Sequence, residues 1–436
     1  MDIVLVDSKI SGIKNLEKEV VLSYTKRNFG KEIFSQSCVK TIYGSNGAGK
    51  SGIAHAYDIF RELVLNDFPF SDPLFTPKFC QLINKKSMTF GMSNTFAINI
   101  DEKIYRIRYT FSVGMDSNKN LSFQHERVEL LNSRLDTSSV VVEVKNGEIV
   151  NDINNPELSF LKQPQIVLRK SSILRSVVGK ELDHSLEAAV ALYSTLMLAM
   201  FINVSYGSLD DSHETFDCKS LLSSFKDGKI KTDKLAKALT MDSLVQRLQG
   251  EHYVWVIDKK EEKEYQKLTK QLAAFIKLLK PSLVDIEADF KHAQVASYCN
   301  LRFIYKDYDV DYEFESTGIK KLCILFSSLY NASKGRITFI DEIDSGIHDV
   351  FLTKLVEYFT LYNDCQLIMT THHVGLMEVV KHLRKSIDIL DDDGTIRTWV
   401  KNGKYSPSSL YSKGYLRGVP FNLQSSDFAY IFGDGK

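Results

Sequence analysis

The sequence predicts an α/β protein, with a core of mixed sheet and helices built from both chain ends and a helical second lobe between them. Three observations predict it. The strand-like run Cys38-Val39-Lys40-Thr41-Ile42-Tyr43 leads into a glycine-rich loop and then a helix. A second run, Ile337-Thr338-Phe339-Ile340-Asp341-Glu342, ends in two carboxylates. A third, Gln366-Leu367-Ile368-Met369-Thr370-Thr371-His372, ends in a histidine. Short apolar runs of this kind suit strands buried in a parallel sheet, which deliver their last residues to the edge where ligands bind. Motifs at both ends must meet in one core, so residues 1–170 and 300–436 are expected to form it and 171–299 the lobe.

The elements follow in chain order. Ile3-Val4-Leu5-Val6 and Val20-Val21-Leu22 read as two early strands. The loop after the next strand is Gly44-Ser45-Asn46-Gly47-Ala48-Gly49-Lys50-Ser51, a G-x-x-x-x-G-K-S pattern. Its glycines let backbone N–H groups turn inward around phosphates, Lys50 reaches the β and γ phosphates, and the Ser51 hydroxyl takes Mg²⁺. Ser51 to Tyr57 opens a helix, so the phosphates sit at a helix N-terminus. Much further on, Glu315-Ser316-Thr317-Gly318-Ile319-Lys320-Lys321 sets a hydroxyl and a glycine before the apolar helix Leu322 to Tyr330, another helix start suited to anions. Asp341 suits a Mg²⁺ shell, and Glu342 suits a general base that polarises the attacking water. His372 is placed to hydrogen-bond a γ-phosphate. Beyond it come a helix from Val374 to Lys385 and a strand pair, Ile387 to Leu390 and Ile396 to Val400.

In these motifs and their order the chain resembles the ATP-binding cassette ATPases, in the branch holding SMC proteins, recombination ATPases and the OLD (overcoming lysogenisation defect) nucleases. The resemblance makes Lys50 and Ser51 the Walker A pair and Asp341 and Glu342 the Walker B pair. It makes Ser316 and Gly318 the signature loop, Asp344-Ser345-Gly346 the D-loop and His372 the switch histidine. The signature resembles the Ser-x-Gly-x-Lys form of the OLD-like branch more than the transporters' Ser-Gly-Gly-Gln. In that family two subunits face each other, and the signature loop of one closes over phosphates bound to the other. The family also uses a glutamine at the metal; Gln81 is the first candidate, with Gln124 and Gln165 as rivals.

Spacing selects the branch. Lys50 and Asp341 stand 291 positions apart, too far for a transporter domain and too near for the long arms of SMC proteins. Only Asp258 to Lys280 is strongly charged and helical in pattern, with Leu268, Leu272, Ile276 and Leu279 as its stripe and Pro281 ending it. Lys226 to Leu239 and Asp242 to Leu248 read as further lobe helices. After His372 only 64 residues remain, so the TOPRIM nuclease domain that follows the cassette in the OLD proteins is not expected here. The tail Leu410 to Pro420 is similar to the terminal segment of stand-alone bacterial ATPases tied to abortive infection.

Lys+Arg and Asp+Glu both count 55, so no global basic field favours nucleic acid, and the clusters Lys226 to Lys234 and Lys381 to Lys385 read as solvated surface. The six cysteines show no C-x-x-C spacing, which argues against a zinc site or disulfide framework and for a reducing cytoplasm; no signal peptide is expected. Ala188 to Leu209 carries no charge and approaches the length of a membrane span. Ser194, Thr195, Asn203 and the acidic flanks favour a helix buried in the lobe or in a dimer interface, with no membrane contact.

The resemblance implies an ATP- and Mg²⁺-dependent ATPase that pairs with itself in a facing dimer or larger homo-oligomer. It points to the ATPase subunits of the PARIS and AbiL-like anti-phage systems, whose effectors are TOPRIM-type nucleases, and to Septu, whose effector is an HNH nuclease. A phage protein or phage DNA is the expected trigger. The alternative is a DNA-clamping repair ATPase of the SMC-like class.

Overall fold

A computed structural model describes residues 2–25, 31–35, 38–100, 102–132, 137–151, 158–159, 161, 169–178, 180, 186–207, 241, 243–248, 255–293, 296–401 and 405–416. The strand that leads into the glycine-rich loop is β3 (Cys38–Gly44). It lies inside a six-stranded sheet with β9 (Ile202–Tyr206), β14 (Ile337–Asp341), β15 (Gln366–Thr370), β16 (Ile387–Leu390) and β17 (Ile396–Thr398), in the order β17-β16-β3-β15-β14-β9. Neighbours pair in parallel except at the β16–β17 edge. Gln366 is in register with both Cys38 and Ile337, so the carboxyl ends of β3, β14 and β15 finish side by side. Every residue of β14 and β15 is buried, the consequence of helices on both faces.

One face is covered by α1 (Lys50–Leu65) and α3 (Glu187–Phe201), which form a continuous core with Phe339 and Ile368. Tyr57 of α1 stacks on Phe339 at 3.7 Å between ring centroids. The other face meets α5 (Thr317–Ser333), α6 (Asp349–Tyr362) and α7 (Gly375–Val380). Between α1 and α3 lie α2 (Phe75–Leu82) and most of a second sheet. That sheet contains β1 (Asp2–Ser11), β2 (Val20–Ser23), β4 (Thr89–Ile100), β5 (Lys103–Met115), β6 (Leu121–Leu131), β7 (Ser138–Lys145) and β8 (Glu148–Ile149), ordered β2-β1-β4-β5-β6-β7-β8 and antiparallel throughout. Along β5, Ile107, Tyr109, Phe111 and Val113 are buried while Arg106, Arg108, Thr110 and Ser112 are half-exposed, the period of two that sheet geometry imposes.

Glu126 of β6 is buried on the inner face of this sheet. It accepts hydrogen bonds from the Tyr109 hydroxyl (2.7 Å), the Ser172 hydroxyl (2.6 Å) and the Ile173 N–H (3.1 Å). Burial still pushes its carboxyl up to about 7. The folded state therefore holds this proton to higher pH than the unfolded chain, whose glutamates titrate near 4.3. The associated stability is complete below the unfolded value and is lost as pH rises through about 7. The expected result is a urea midpoint that falls between pH 5 and 8, and a flatter profile for Glu126→Gln; equal slopes in the two proteins would contradict the assignment.

The uncharged run Ala188 to Leu209 corrects the expectation placed on it. It is neither a lobe helix nor an interface helix; its described part is α3 followed directly by the strand β9, and both belong to the core. Ala, Leu and Met favour the helix as far as Phe201, and Ile202-Asn203-Val204-Ser205-Tyr206 is β-prone. Arg336, just before β14, closes the junction by donating to the carbonyls of Met200 (2.6 Å), Phe201 (3.3 Å) and Ile202 (3.1 Å). The Met200 and Phe201 carbonyls belong to the last turn of α3, where a helix leaves its carbonyls without intrahelical partners. Among the described residues no helix is long and apolar enough to cross a membrane.

The lobe boundary moves accordingly, because residues 187–206 lie in the core. In its described part the lobe carries a sheet besides the expected helices, among them helical residues at 243–246. The sheet is made of β10 (Trp255–Asp258), β11 (Leu283–His292) and β12 (Ala296–Tyr305), ordered β10-β12-β11 with β13 (Asp309–Asp311) paired to β12, covered by α4 (Glu262–Lys277). The stripe Leu268, Leu272 and Ile276 is buried with Tyr265, as an amphipathic helix on a sheet requires. The proposed helix at 226–239, the basic cluster 226–234, Gln165, Cys218 and the tail beyond 416 lie outside the described residues. The helix expected from Val374 to Lys385 stops early, as α7, where the Ser386 hydroxyl donates to the carbonyls of Val380 (2.6 Å) and Leu383 (2.9 Å).

Candidate nucleotide-binding site

The glycine-rich loop joins β3 to α1 as its sequence requires. Gly49 has φ +109°, and a Cβ there would stand 2.8 Å from Leu16 Cδ2. Only glycine meets both demands. Gly47 has φ +83°, and nothing lies within 4 Å of a Cβ built on it, so the loop is open on that side. Gly44 and Ala48 face the protein instead: a Cβ on Gly44 would meet the Leu390 carbonyl at 2.6 Å, and Ala48 is buried. The Ser45 hydroxyl is engaged by Asp392. Asn15, in the turn between β1 and β2, donates through Nδ2 to the Gly47 carbonyl at 2.5 Å and ties that turn to the loop.

α1 begins at Lys50 with Gly49 as its N-cap and no capping side chain, leaving its first-turn N–H groups to an anion. Lys50 Nζ donates to the carbonyls of Gly44 (2.8 Å) and Ser45 (2.9 Å). Burial lowers the Lys50 pKa, and Asp341, Glu342, Asp344 and Asp392 act against that shift. The ammonium is thus partly desolvated, held by two loop carbonyls and under the influence of nearby acidic groups.

One cavity of about 380 Å³ collects the separated motifs. Asn46, Gly47, Gly49, Lys50 and Ser51 line it from the loop, Gln81 from α2, Glu342 from the end of β14 and His372 from beyond β15. Of the three candidate glutamines, the structure brings Gln81 to this cavity; Gln124 lies on β6 beside His125 and Glu143. Asp341 is buried and accepts from the Thr370 hydroxyl at 2.5 Å. Glu342 is exposed with φ +50°, a backbone conformation uncommon outside glycine, and its N–H donates to Thr370 Oγ1 at 2.8 Å. The His372 N–H donates to Asp344 Oδ2 at 3.1 Å. The neighbouring His373 is occupied within the fold: its ring nitrogens accept from the Gly375 N–H and meet the Thr353 hydroxyl.

Ser316 and Gly318 are not among the residues lining this cavity. They stand exposed at the start of α5, where the Ser316 hydroxyl accepts from the Ile319 N–H at 3.4 Å and a Cβ on Gly318 would meet nothing within 4 Å. Sequence reasoning missed Lys14, Asn15 and Lys85, which line the cavity next to the loop. No local pattern marks them, since they come from turns brought in by the second sheet.

ATP fits these residues: an open glycine loop, an uncapped helix start and a partly desolvated lysine take phosphates. Ser51, Gln81 and Asp341 would hold Mg²⁺. Among the described residues no cluster of three or more His, Cys, Asp or Glu stands ready to hold a metal ion.

The family model described as an AAA domain, putative AbiEii toxin, Type IV TA system, matches residues 219–378. That stretch carries Ser316, Gly318, Asp341, Glu342 and His372 but not the glycine-rich loop. No curated protein matches the chain. Among solved structures, the SMC head domain from Thermotoga maritima is 12% identical with a TM-score of 0.35, covering 92% of this chain and 100% of that one. The Smc head domain with a coiled coil and joint derived from Pyrococcus yayanosii is 11% identical with a TM-score of 0.42, covering 92% and 97%. Likeness at this level carries no statement of activity or assembly. Fold and site together describe an α/β protein whose glycine-rich loop, acidic strand end and histidine line one cavity.

Proposed function

We propose that this chain binds and hydrolyses ATP as a homo-oligomeric cassette-type ATPase of a bacterial anti-phage defence system, controlling a separate nuclease effector. One observation carries the ATPase reading: Lys50, Ser51, Gln81, Glu342 and His372, spread over more than three hundred positions, line a single cavity. In this reading the loop amides and Lys50 hold the β and γ phosphates. Glu342 takes a proton from the attacking water, and His372 hydrogen-bonds the γ-phosphate. Bound Mg²⁺ supplies charge neutralisation at the transferring phosphoryl group. The matched family's description, together with the tail's resemblance to abortive-infection ATPases, supports the defence setting.

The exposed Ser316 and Gly318 support a site completed by a second copy, whose signature loop closes over this cavity. A Lys50→Ala chain mixed with a Ser316→Arg chain is then expected to recover part of the activity that each lacks alone, because heterodimers keep one intact site. Activity that stays flat on mixing and does not change with protein concentration would rule out facing copies. Measuring duplex DNA binding with ATP across a salt series tests the clamp alternative, for which affinity should fall steeply as salt rises.

A further inference from the structure

We propose that Thr370 is a positioning residue that sets the metal-side carboxylate and the general base of this site together; the inference rests on the ATPase reading above. Thr370 ends β15, and β14 runs parallel beside it, so its side chain emerges next to Asp341. It is buried and uses both capacities of one hydroxyl. The O–H donates to Asp341 Oδ1 at 2.5 Å, and the oxygen accepts the Glu342 N–H at 2.8 Å. Its carbonyl accepts the Ile343 N–H at 3.1 Å. One residue therefore holds three consecutive positions of the acidic loop.

The consequences are specific. With Oδ1 engaged by the Thr370 hydroxyl, rotation of the buried Asp341 carboxylate is restrained. The bond to the Glu342 N–H holds the residue at φ +50°, the conformation from which its exposed side chain lines the cavity. An alkyl group of the same shape would leave the buried carboxylate oxygen without its donor and the N–H without its acceptor. Partners that orient ligands in this way are typically worth on the order of 10–100-fold in metal affinity or activity.

The test compares Thr370→Val, which keeps shape and loses the hydroxyl, with Thr370→Ser, which restores the hydroxyl. ATP hydrolysis is measured against ATP and, separately, against Mg²⁺. Thr370→Val is expected to lose on the order of 10–100-fold in kcat and to need several-fold more Mg²⁺, with KM for ATP changed little, while Thr370→Ser stays near wild type. A Val variant with wild-type kcat and Mg²⁺ requirement overturns the proposal. So does a Ser variant as impaired as Val, since bulk rather than the hydroxyl would then matter. Wild-type protein without ATPase activity overturns the function reading instead. The positioning role is then decided by the Mg²⁺ dependence of ATP binding in the same three proteins, and an unchanged dependence in Thr370→Val overturns it.

Discussion

Glu342→Gln is expected to bind ATP about as tightly as wild type and to hydrolyse it roughly 10²–10⁴-fold more slowly, the usual range for a lost general base. The substitution keeps the size of the side chain and the backbone hydrogen bond to Thr370, removing only the proton acceptor at the cavity. Lys50→Ala should behave differently. Its ammonium is held at the loop by the Gly44 and Ser45 carbonyls, so its loss weakens nucleotide binding itself. Fluorescent-nucleotide titration and phosphate release, run side by side, separate the two effects. A Glu342→Gln protein that releases phosphate at the wild-type rate removes Glu342 from the role of base.

Asp388→Ala is expected to destabilise the fold by about 3–5 kcal/mol, the cost of leaving a buried charge without its partner. Lys40 lies in the strand that feeds the glycine-rich loop, and its side chain is fully buried, with Nζ 2.5 Å from Asp388 Oδ2 on β16. The Thr398 hydroxyl donates to Asp388 Oδ1 at 2.6 Å, so the carboxylate is bonded on both oxygens. The pair joins β3 to the β16–β17 edge of the sheet. Removing both charges together, as Lys40→Met with Asp388→Leu, should cost far less than the single change, since no uncompensated charge remains. Urea unfolding of the three proteins measures this. A single variant as stable as wild type would mean that Lys40 finds other compensation.

The local part of the site is legible in the amino-acid sequence. Glycine at 47 and 49, lysine at 50 and an apolar run closing on Asp341 and Glu342 are each short-range patterns, and the structure places them on the elements expected. The glutamine is different: three candidates share the same local character, and the packing of α2 is what brings Gln81 to the cavity. Lys14, Asn15 and Lys85 carry no signal, because a turn residue gains meaning only from what its sheet brings near.

The sequence by itself determined an α/β core assembled from both chain ends and the backbone character of its glycine-rich loop, because strand burial, left-handed glycines and an uncapped helix start are set by a few adjacent residues. Tertiary structure decided where the uncharged run 188–209 belongs. A continuous apolar stretch reads alike as helix or strand, and only pairing with β14 and the Arg336 contacts to its carbonyls turn the chain into β9 at residue 202. It also decided that the lobe carries a sheet, and that Lys40 meets Asp388 across 348 positions. Such pairings are long-range hydrogen bonds and ion pairs, whose partners are chosen by burial in the finished core rather than by neighbours in the chain.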